Sequence, residues 1–381
     1  MNEISSITPS ANDAGATASG SDTIACSGCG APLAFAPGTT HLACLHCGTE
    51  NEIAVTIPET IVETDYRRFL EQTQAGSGGG ETALYTVTCA SCGASTTLKP
   101  NVASDACPFC GTPLVAADAH TRSIIAPRYL LPFAVDLRQA LAAFRTWIAK
   151  RWFAPNDLKR YGQSAEKLAG LYIPYWTYDS ATSSSYAGRR GTNHTQTYTA
   201  VENGRRVTRT RTVIHWTSVS GRVSQLFDDV LVIASSSLPE KYAAKLEPWD
   251  LGNLVDYNES FLAGFRTETY RIDLAEGFEK AKVIMDKTIR DAIKRDIGGD
   301  HQQITSVNTS FDNITFKHIL LPIWLSAYRY NGKVYRFMVN GRTGEVQGER
   351  PWSIAKIALA AAGGIALLVG AWFLLQPYFN Q

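Results

Sequence analysis

The chain has no G-x-x-x-x-G-K-[ST] phosphate loop, no H-E-x-x-H helix and no G-x-S-x-G nucleophile elbow. Its one Gly-Lys pair, Gly332-Lys333, falls in a hairpin signal and is followed by Val334. A nucleotide-driven motor, a zinc protease and an α/β-hydrolase therefore lack their defining residues, and no catalysis is expected. Residues 1–22 contain no apolar core of the kind a secretory signal needs, so the cysteines are expected to be reduced. Lys and Arg are missing from residues 23–58. Phosphate binding by that segment is excluded, because affinity for nucleic acid comes mainly from basic side chains.

What the chain does have is eight cysteines in one frame used twice, Cys26-x2-Cys29-x14-Cys44-x2-Cys47 and Cys89-x2-Cys92-x14-Cys107-x2-Cys110. Each pair opens a C-x-x-C-G turn whose glycine can take the left-handed conformation around a metal. Two such turns make one tetrahedral thiolate site, closed to substrate, and zinc fits it best. Two structural zinc ions are expected, on ribbons at 23–58 and 82–117. A disulfide framework and a redox C-x-x-C pair are the alternatives.

Residues 357–375 form a run of 19 without charge. As a helix it is roughly 28 Å long, close to the hydrocarbon core of a bilayer. Arg350 and Lys356 precede the run and no basic residue follows it, which predicts a single pass with the N-terminal part cytosolic and the tail at 377–381 outside. Trp352, Trp372 and Tyr378 are placed for the two interfaces. Ala358, Ala362, Ala366 and Gly370 recur every four residues, either as a face for another helix or as the filling of an alanine-rich span.

The overall charge of +1 hides an asymmetry. Residues 1–120 hold 12 acidic side chains against Arg67, Arg68 and Lys99, a balance of −9, and the remainder carries +10. The ribbons are thus read as protein-binding platforms or as rigid spacers. Composition predicts a disordered tail at 1–22 and a short helix with a glycine-rich linker over 59–81.

The segment 118–351 has the pattern of an internal duplication. Val135-Asp136-Leu137 is repeated as Ile272-Asp273-Leu274, each with a capping-box partner three residues on, Gln139 and Glu276. Amphipathic helices are expected to about Trp152 and to about Ile297. Each is followed by a proline-and-tryptophan strand, Tyr172-Ile-Pro174-Tyr-Trp176 and Leu320-Leu-Pro322-Ile-Trp324, and then by an Asn-Gly turn, Asn203-Gly204 or Asn331-Gly332. The fold class is α+β: two small four-cysteine zinc ribbons, a duplicated helix-plus-antiparallel-sheet domain, and a transmembrane helix over 352–376. His215 and His318 read as core or surface residues. Asp228 and Asp229 adjoin in a strand and should point to opposite faces. The run from Arg205 and Arg206 to Arg209 and Arg211 reads as a solvated strand edge or as a contact for anionic lipid.

The ribbons, the Trp152-Phe-Ala-Pro155 turn with Leu158, the two proline-tryptophan strands, Phe227-Asp228-Asp229-Val, and Leu321-Pro322-Ile-Trp324 through Asn340-Gly-Arg-Thr-Gly344 before a terminal membrane helix are together similar to one family. They resemble the bacterial TFIIB-type zinc-ribbon membrane proteins, the YdjG-like group, whose members often carry the label primosomal protein N′ or superfamily II helicase. The resemblance implies residence in the bacterial inner membrane with SPFH (flotillin-like) or phage-shock-type partners. The helicase label conflicts with the missing phosphate loop and the acidic ribbons. The expectation is a tail-anchored, cytosol-facing scaffold or adaptor, with a nucleic-acid-associated replication accessory as the alternative.

Overall fold

The computed structural model describes residues 24–55, 58, 60–75, 81–97, 104–110, 112–115, 119–155, 168–202, 205–330, 333–349 and 352–379. The tail at 1–22, the glycine run at 76–80, Leu158 and the Asn-Gly pairs at 203–204 and 331–332 lie outside the described residues.

One nine-stranded mixed sheet organises the chain. Its strands are β1 (Tyr129–Leu130), β2 (Ala169–Glu202), β3 (Arg205–Ile233), β4 (Val255–Asp256), β5 (Arg266–Thr267), β6 (His301–Tyr330), β7 (Lys333–Asn340) and β8 (Val346–Gly348), with a short strand at Thr64–Asp65. The order β3-β2-β6-β1-β4 runs across it, and β7 and β8 continue from the far end of β6. The helices of more than one turn are α1 (Tyr66–Gln74), α2 (Leu137–Ala149), α3 (Leu274–Ile297) and α4 (Ile354–Phe379).

Helix α2 begins with a reciprocal box: the Asp136 N–H donates to Gln139 Oε1 at 2.8 Å and the Gln139 N–H donates to Asp136 Oδ1 at 2.7 Å. Helix α3 begins on Asp273, which accepts from the Glu276 N–H at 2.8 Å. The first helix ends at Ala149, short of Trp152, because residues 151–154 close a turn through the Ala154 N–H on Arg151 O.

Two regions share the sheet. In the body, one face packs under α2 and the first ribbon around Phe133, Phe144, Tyr172 and Trp324. The other face packs under the second ribbon and Leu238, Leu246 and Leu254 around Leu171, Ile173, Ile323 and Met338. Beyond it, β2, β3 and β6 continue as a blade. From Ser180 to Glu202 it reaches roughly 75 Å at a strand rise of about 3.3 Å per residue. Helix α3 lies along one blade face over Tyr178, Tyr186 and Phe316. The other face is bare: Ser185, Ala187, Ser220, Ser224, Asn308 and Ser310 are exposed. Past Gly191, where pairing with β6 stops, β2 and β3 form a two-stranded arm.

The centre of the sheet is arranged symmetrically. Ile173 of β2 pairs with Leu321 of β6. Trp176 Nε1 donates to Ile272 O and Trp324 Nε1 donates to Val135 O, both at 2.9 Å. Each proline-tryptophan strand thus bonds the carbonyl just before the N-cap of the other segment's helix.

Candidate metal centres and the charged neck

The eight cysteines gather as two sets of four, each with its sulfurs within 4.8 Å of one another. In the first, Cys26 and Cys47 Sγ lie 3.5 Å apart and Cys29 and Cys44 Sγ 3.6 Å apart. The second repeats this, with Cys89–Cys110 at 3.5 Å and Cys92–Cys107 at 3.6 Å. A tetrahedron of 2.3 Å zinc–thiolate bonds has edges of about 3.8 Å, so the spacing fits such an ion. It is far beyond the roughly 2.05 Å of a disulfide.

The local backbone explains why four C-x-x-C-G turns build these sites. Gly30, Gly48 and Gly93 have φ of 74°, 75° and 75°. Their N–H groups donate back to Cys26, Cys44 and Cys89 carbonyls at 2.8, 2.9 and 2.8 Å. Gly111 lies outside the described residues. Thr49 and Thr112 hydroxyls sit 3.1 and 3.2 Å from Cys47 and Cys110 Sγ. The Thr49 hydrogen bonds draw the Cys47 thiol down to about 6. Burial works the other way on Cys110, but Thr112 outweighs it and the thiol again falls to about 6. Crowding by the neighbouring sulfurs raises Cys29, and burial raises Cys92 and Cys107, so Cys47 and Cys110 are the thiols that lose their protons most readily, toward the form a metal takes.

Neither ribbon stands apart. The Phe35 N–H of the first donates to Ala263 O at 3.0 Å, and its ring meets Phe261 edge-on at 5.1 Å. The second is gripped beside both of its turns. Arg336 Nε donates to Phe109 O at 3.1 Å, and a side chain at Gly93 would collide with the Arg271 guanidinium. Two cations therefore flank the second four-thiolate site, offsetting the formal −2 of a metal-loaded centre.

A third cluster stands at the neck between body and blade. Register shifts fall between Tyr178 and Ser180 against β3, and between Asp179 and Ala181 against β6. There Asp229 and Asn313 adopt φ of 52° and 51°, which short polar side chains tolerate. This bulge corrects the strict alternation expected for the Asp pair. Asp229 reaches Lys317 Nζ at 2.7 Å, and the Asp228 carboxylate comes within 4.8 Å of Glu63 and Asp179. Lys317, its side chain 2% exposed, also meets Glu63 at 2.7 Å and Asp179 at 3.7 Å. Its ammonium is the cation that Glu63, Asp179 and Asp229 share. Burial drives Asp179 up to about 6, while the contacts of Glu63 with Asp179, Lys317 and Thr315 overcome its burial and hold it at about 2.

The remaining candidates take structural places. His318 is buried with Nδ1 2.8 Å from Ile125 O, and burial lowers it to about 4. His215 is exposed on the arm, 5.8 Å ring to ring from His194. In the Asn340-Gly-Arg-Thr-Gly344 turn, Asn340 Nδ2 donates to Leu246 O at 2.7 Å and Arg342 pairs with Asp250 at 2.5 Å. The arm sets Arg211 5.6 Å from the Tyr198 ring, with two hydrogen bonds to Gln196 at 3.1 and 2.8 Å. Helix α4 contains one span long and apolar enough to cross a membrane, Ile354–Trp372, with mean hydropathy 2.0. The Lys317 cluster was not legible in the sequence, because Glu63 and Lys317 are 254 positions apart.

Over 264 residues the chain is 28% identical to an uncharacterized protein of Bacillus subtilis, YdjG, an alignment covering 65% of this chain and 74% of that one. It is a distant relative of that protein. No family model matches the chain. No solved structure matches it.

Proposed function

We propose that the chain is a membrane-anchored scaffold or adaptor that holds partner proteins at the bacterial inner membrane. It carries two structural zinc ions, and its body and blade are on the cytosolic side. The observation that carries this reading is the blade itself. It is a long, polar, three-stranded extension with an open face, joined to a body that is packed against the start of the membrane helix. A sheet edge with unpaired backbone groups is a ready surface for another chain. The partner class follows from the resemblance: SPFH (flotillin-like) or phage-shock-type membrane proteins. The crosswise Trp176 and Trp324 bonds support an origin of the two helix-and-strand segments by duplication.

Crosslinking of intact cells, detergent extraction and mass spectrometry test the scaffold reading. Partners should be recovered with the full chain and lost when residues 192–215 are replaced by a short turn. An unchanged partner set in that variant removes the arm from the reading, and recovery of no protein partner with the full chain overturns it.

A second reading has an observation of its own, since the arm is a β-ribbon bearing Arg205, Arg206, Arg209 and Arg211 on one strand. Two-stranded ribbons of this kind fit the major groove of DNA. Retention of the full chain on DNA that falls steeply with salt would favour a nucleic-acid accessory.

A further inference from the structure

Helix α2 has two unlike sides. Ala140, Leu141, Phe144 and Ile148 are buried against the body, with Phe144 stacked on Phe337 at 3.6 Å. Arg138, Gln139, Ala142, Arg145, Thr146 and Lys150 are exposed. No acidic residue occurs from 137 to 155, so this outer side carries one sign of charge.

The turn that follows the helix meets the start of α4. In the turn after it, Trp152 is 72% exposed while Ala154 is wholly buried in the body core. Lys356 Nζ, in the first turn of α4, donates to Trp152 O at 3.2 Å and to Ala154 O at 2.8 Å. The Ser353 N–H donates to Phe153 O at 2.9 Å, and the Trp352 ring lies 6.2 Å from Phe153. Trp352 is 55% exposed. The anchor is thus bolted to the turn rather than joined to it by free chain.

We propose that the outer side of α2, the Trp152 turn and Trp352 form a contact surface for anionic phospholipid head groups, seating the body on the bilayer around its anchor. The inference rests on the reading of α4 as a membrane span. Continuity with that span identifies the occupant. The turn at 152–154, hydrogen-bonded to the start of a spanning helix, lies at head-group depth, where tryptophan partitions and where the basic side chains of the adjoining α2 meet anionic lipid. Exposed Trp152 and Trp352 bring the apolar bodies that this layer accepts. Arg138, Arg145 and Lys150 supply the charge. The arm with Arg205, Arg206, Arg209 and Arg211, whose sequence reads as a solvated strand edge or as a contact for anionic lipid, lies at the far end of the blade from this surface.

The test uses the full chain in nanodiscs of phosphatidylcholine, with or without phosphatidylglycerol, carrying a photoreactive benzoylphenylalanine in place of Trp152. Lipid adducts identified by mass spectrometry are expected, with yield about tenfold higher when phosphatidylglycerol is present. The same group in place of Leu226, which is 85% exposed on the blade, should give none. In Arg138→Glu/Arg145→Glu/Lys150→Glu the phosphatidylglycerol effect should vanish while circular dichroism stays unchanged. Absence of adducts at 152 in a chain that resists alkaline carbonate extraction overturns the seating and leaves the span intact. Equal adducts at 152 and 226 overturn it as well. Release by carbonate overturns the span reading, and the seating with it.

Discussion

Strand β2 passes through both regions of the molecule, and its burial changes as it goes. Every residue from 171 to 178 is buried, burial alternates from 180 to 188, and all side chains from 193 to 199 are exposed. In the body the strand lies between two packed layers, so both of its faces are dry. In the blade α3 covers one face, and past Gly191 neither is covered. The same backbone ladder therefore rests on different physics. Hydrophobic burial holds the body and the part of the blade under α3, where Tyr186, Ile314 and Phe316 pack on the helix, whereas past Gly191 the arm depends on strand pairing. Helix α3 comes closest to the sheet at Gly277, where an added Cβ would fall 2.3 Å from Tyr178 Oη.

Loss of the second four-cysteine site should have the largest effect. Val87, Cys89, Cys107, Phe109 and Leu114 of the second ribbon are core residues of the body, packed with Leu171, Ile173 and Met338. Cys89→Ser with Cys107→Ser should therefore unsettle the body rather than merely loosen a spacer. Structural zinc sites are worth on the order of 10 kcal/mol, so thermal melting followed by circular dichroism should drop by about 20 °C or more. Replacing the arm at 192–215 by a short turn should shift it by less than about 2 °C, because surface changes away from packed features cost little. Equal shifts in the two variants would show that body and arm are held alike.

The neck should give the next largest effect. Lys317→Met leaves Glu63, Asp179 and Asp229 without their cation, and removing one member of a buried ion pair costs about 3–5 kcal/mol. Lys317→Met/Asp229→Asn should recover part of the loss, because one uncompensated charge is removed. If the single variant melts like the parent, the neck is not held electrostatically.

Glu268 offers a smaller, pH-dependent effect in the body. It is 1% exposed, with the Ser237 hydroxyl donating to one carboxyl oxygen, and burial raises it to about 7. A carboxyl whose pKa is raised on folding stabilises fully below its unfolded value of about 4.5. That stability is lost as pH rises toward 7, over a range worth on the order of 3 kcal/mol. Glu268→Gln should remove this loss and melt higher than the parent at pH 8. A parent and variant with parallel melting-versus-pH curves between 4.5 and 7 would refute the assignment.

The body was more legible in sequence than the blade for the reason the comparison gives. Cysteine spacing, N-caps at Asp136 and Asp273, and aromatic strands at Tyr172 and Trp324 are local signals with fixed chemistry. The blade's strands read Ser-Ala-Thr-Ser-Ser-Ser over 180–185, with little apolar alternation to count, so their length was hidden. The Asp228 and Asp229 arrangement was missed because a bulge changes which face a side chain takes, and that bulge is set by three strands together. Docking of the ribbons was invisible for a similar reason: Phe35 and Phe109 look like ordinary ribbon cores until the partners supplied by residues 261–265 and Arg336 are placed beside them.

The smallest effect on stability should come from α4, whose described side chains beyond its first turn are exposed. Ala358, Ala362, Ala366 and Gly370 are exposed along one stripe of the helix, and Leu359, Leu367 and Leu368 project from its other sides. Small residues at this spacing let a second helix approach closely where lipid supplies no hydrophobic drive. Ala362→Leu/Gly370→Leu keeps the helix apolar, so insertion and melting of the body should match the parent. Its effect belongs to association alone: crosslinked pairs of the chain, or of the chain with a membrane partner, should be lost. Retention of those products would leave the blade and body as the routes of assembly, and the stripe as the filling of an alanine-rich span.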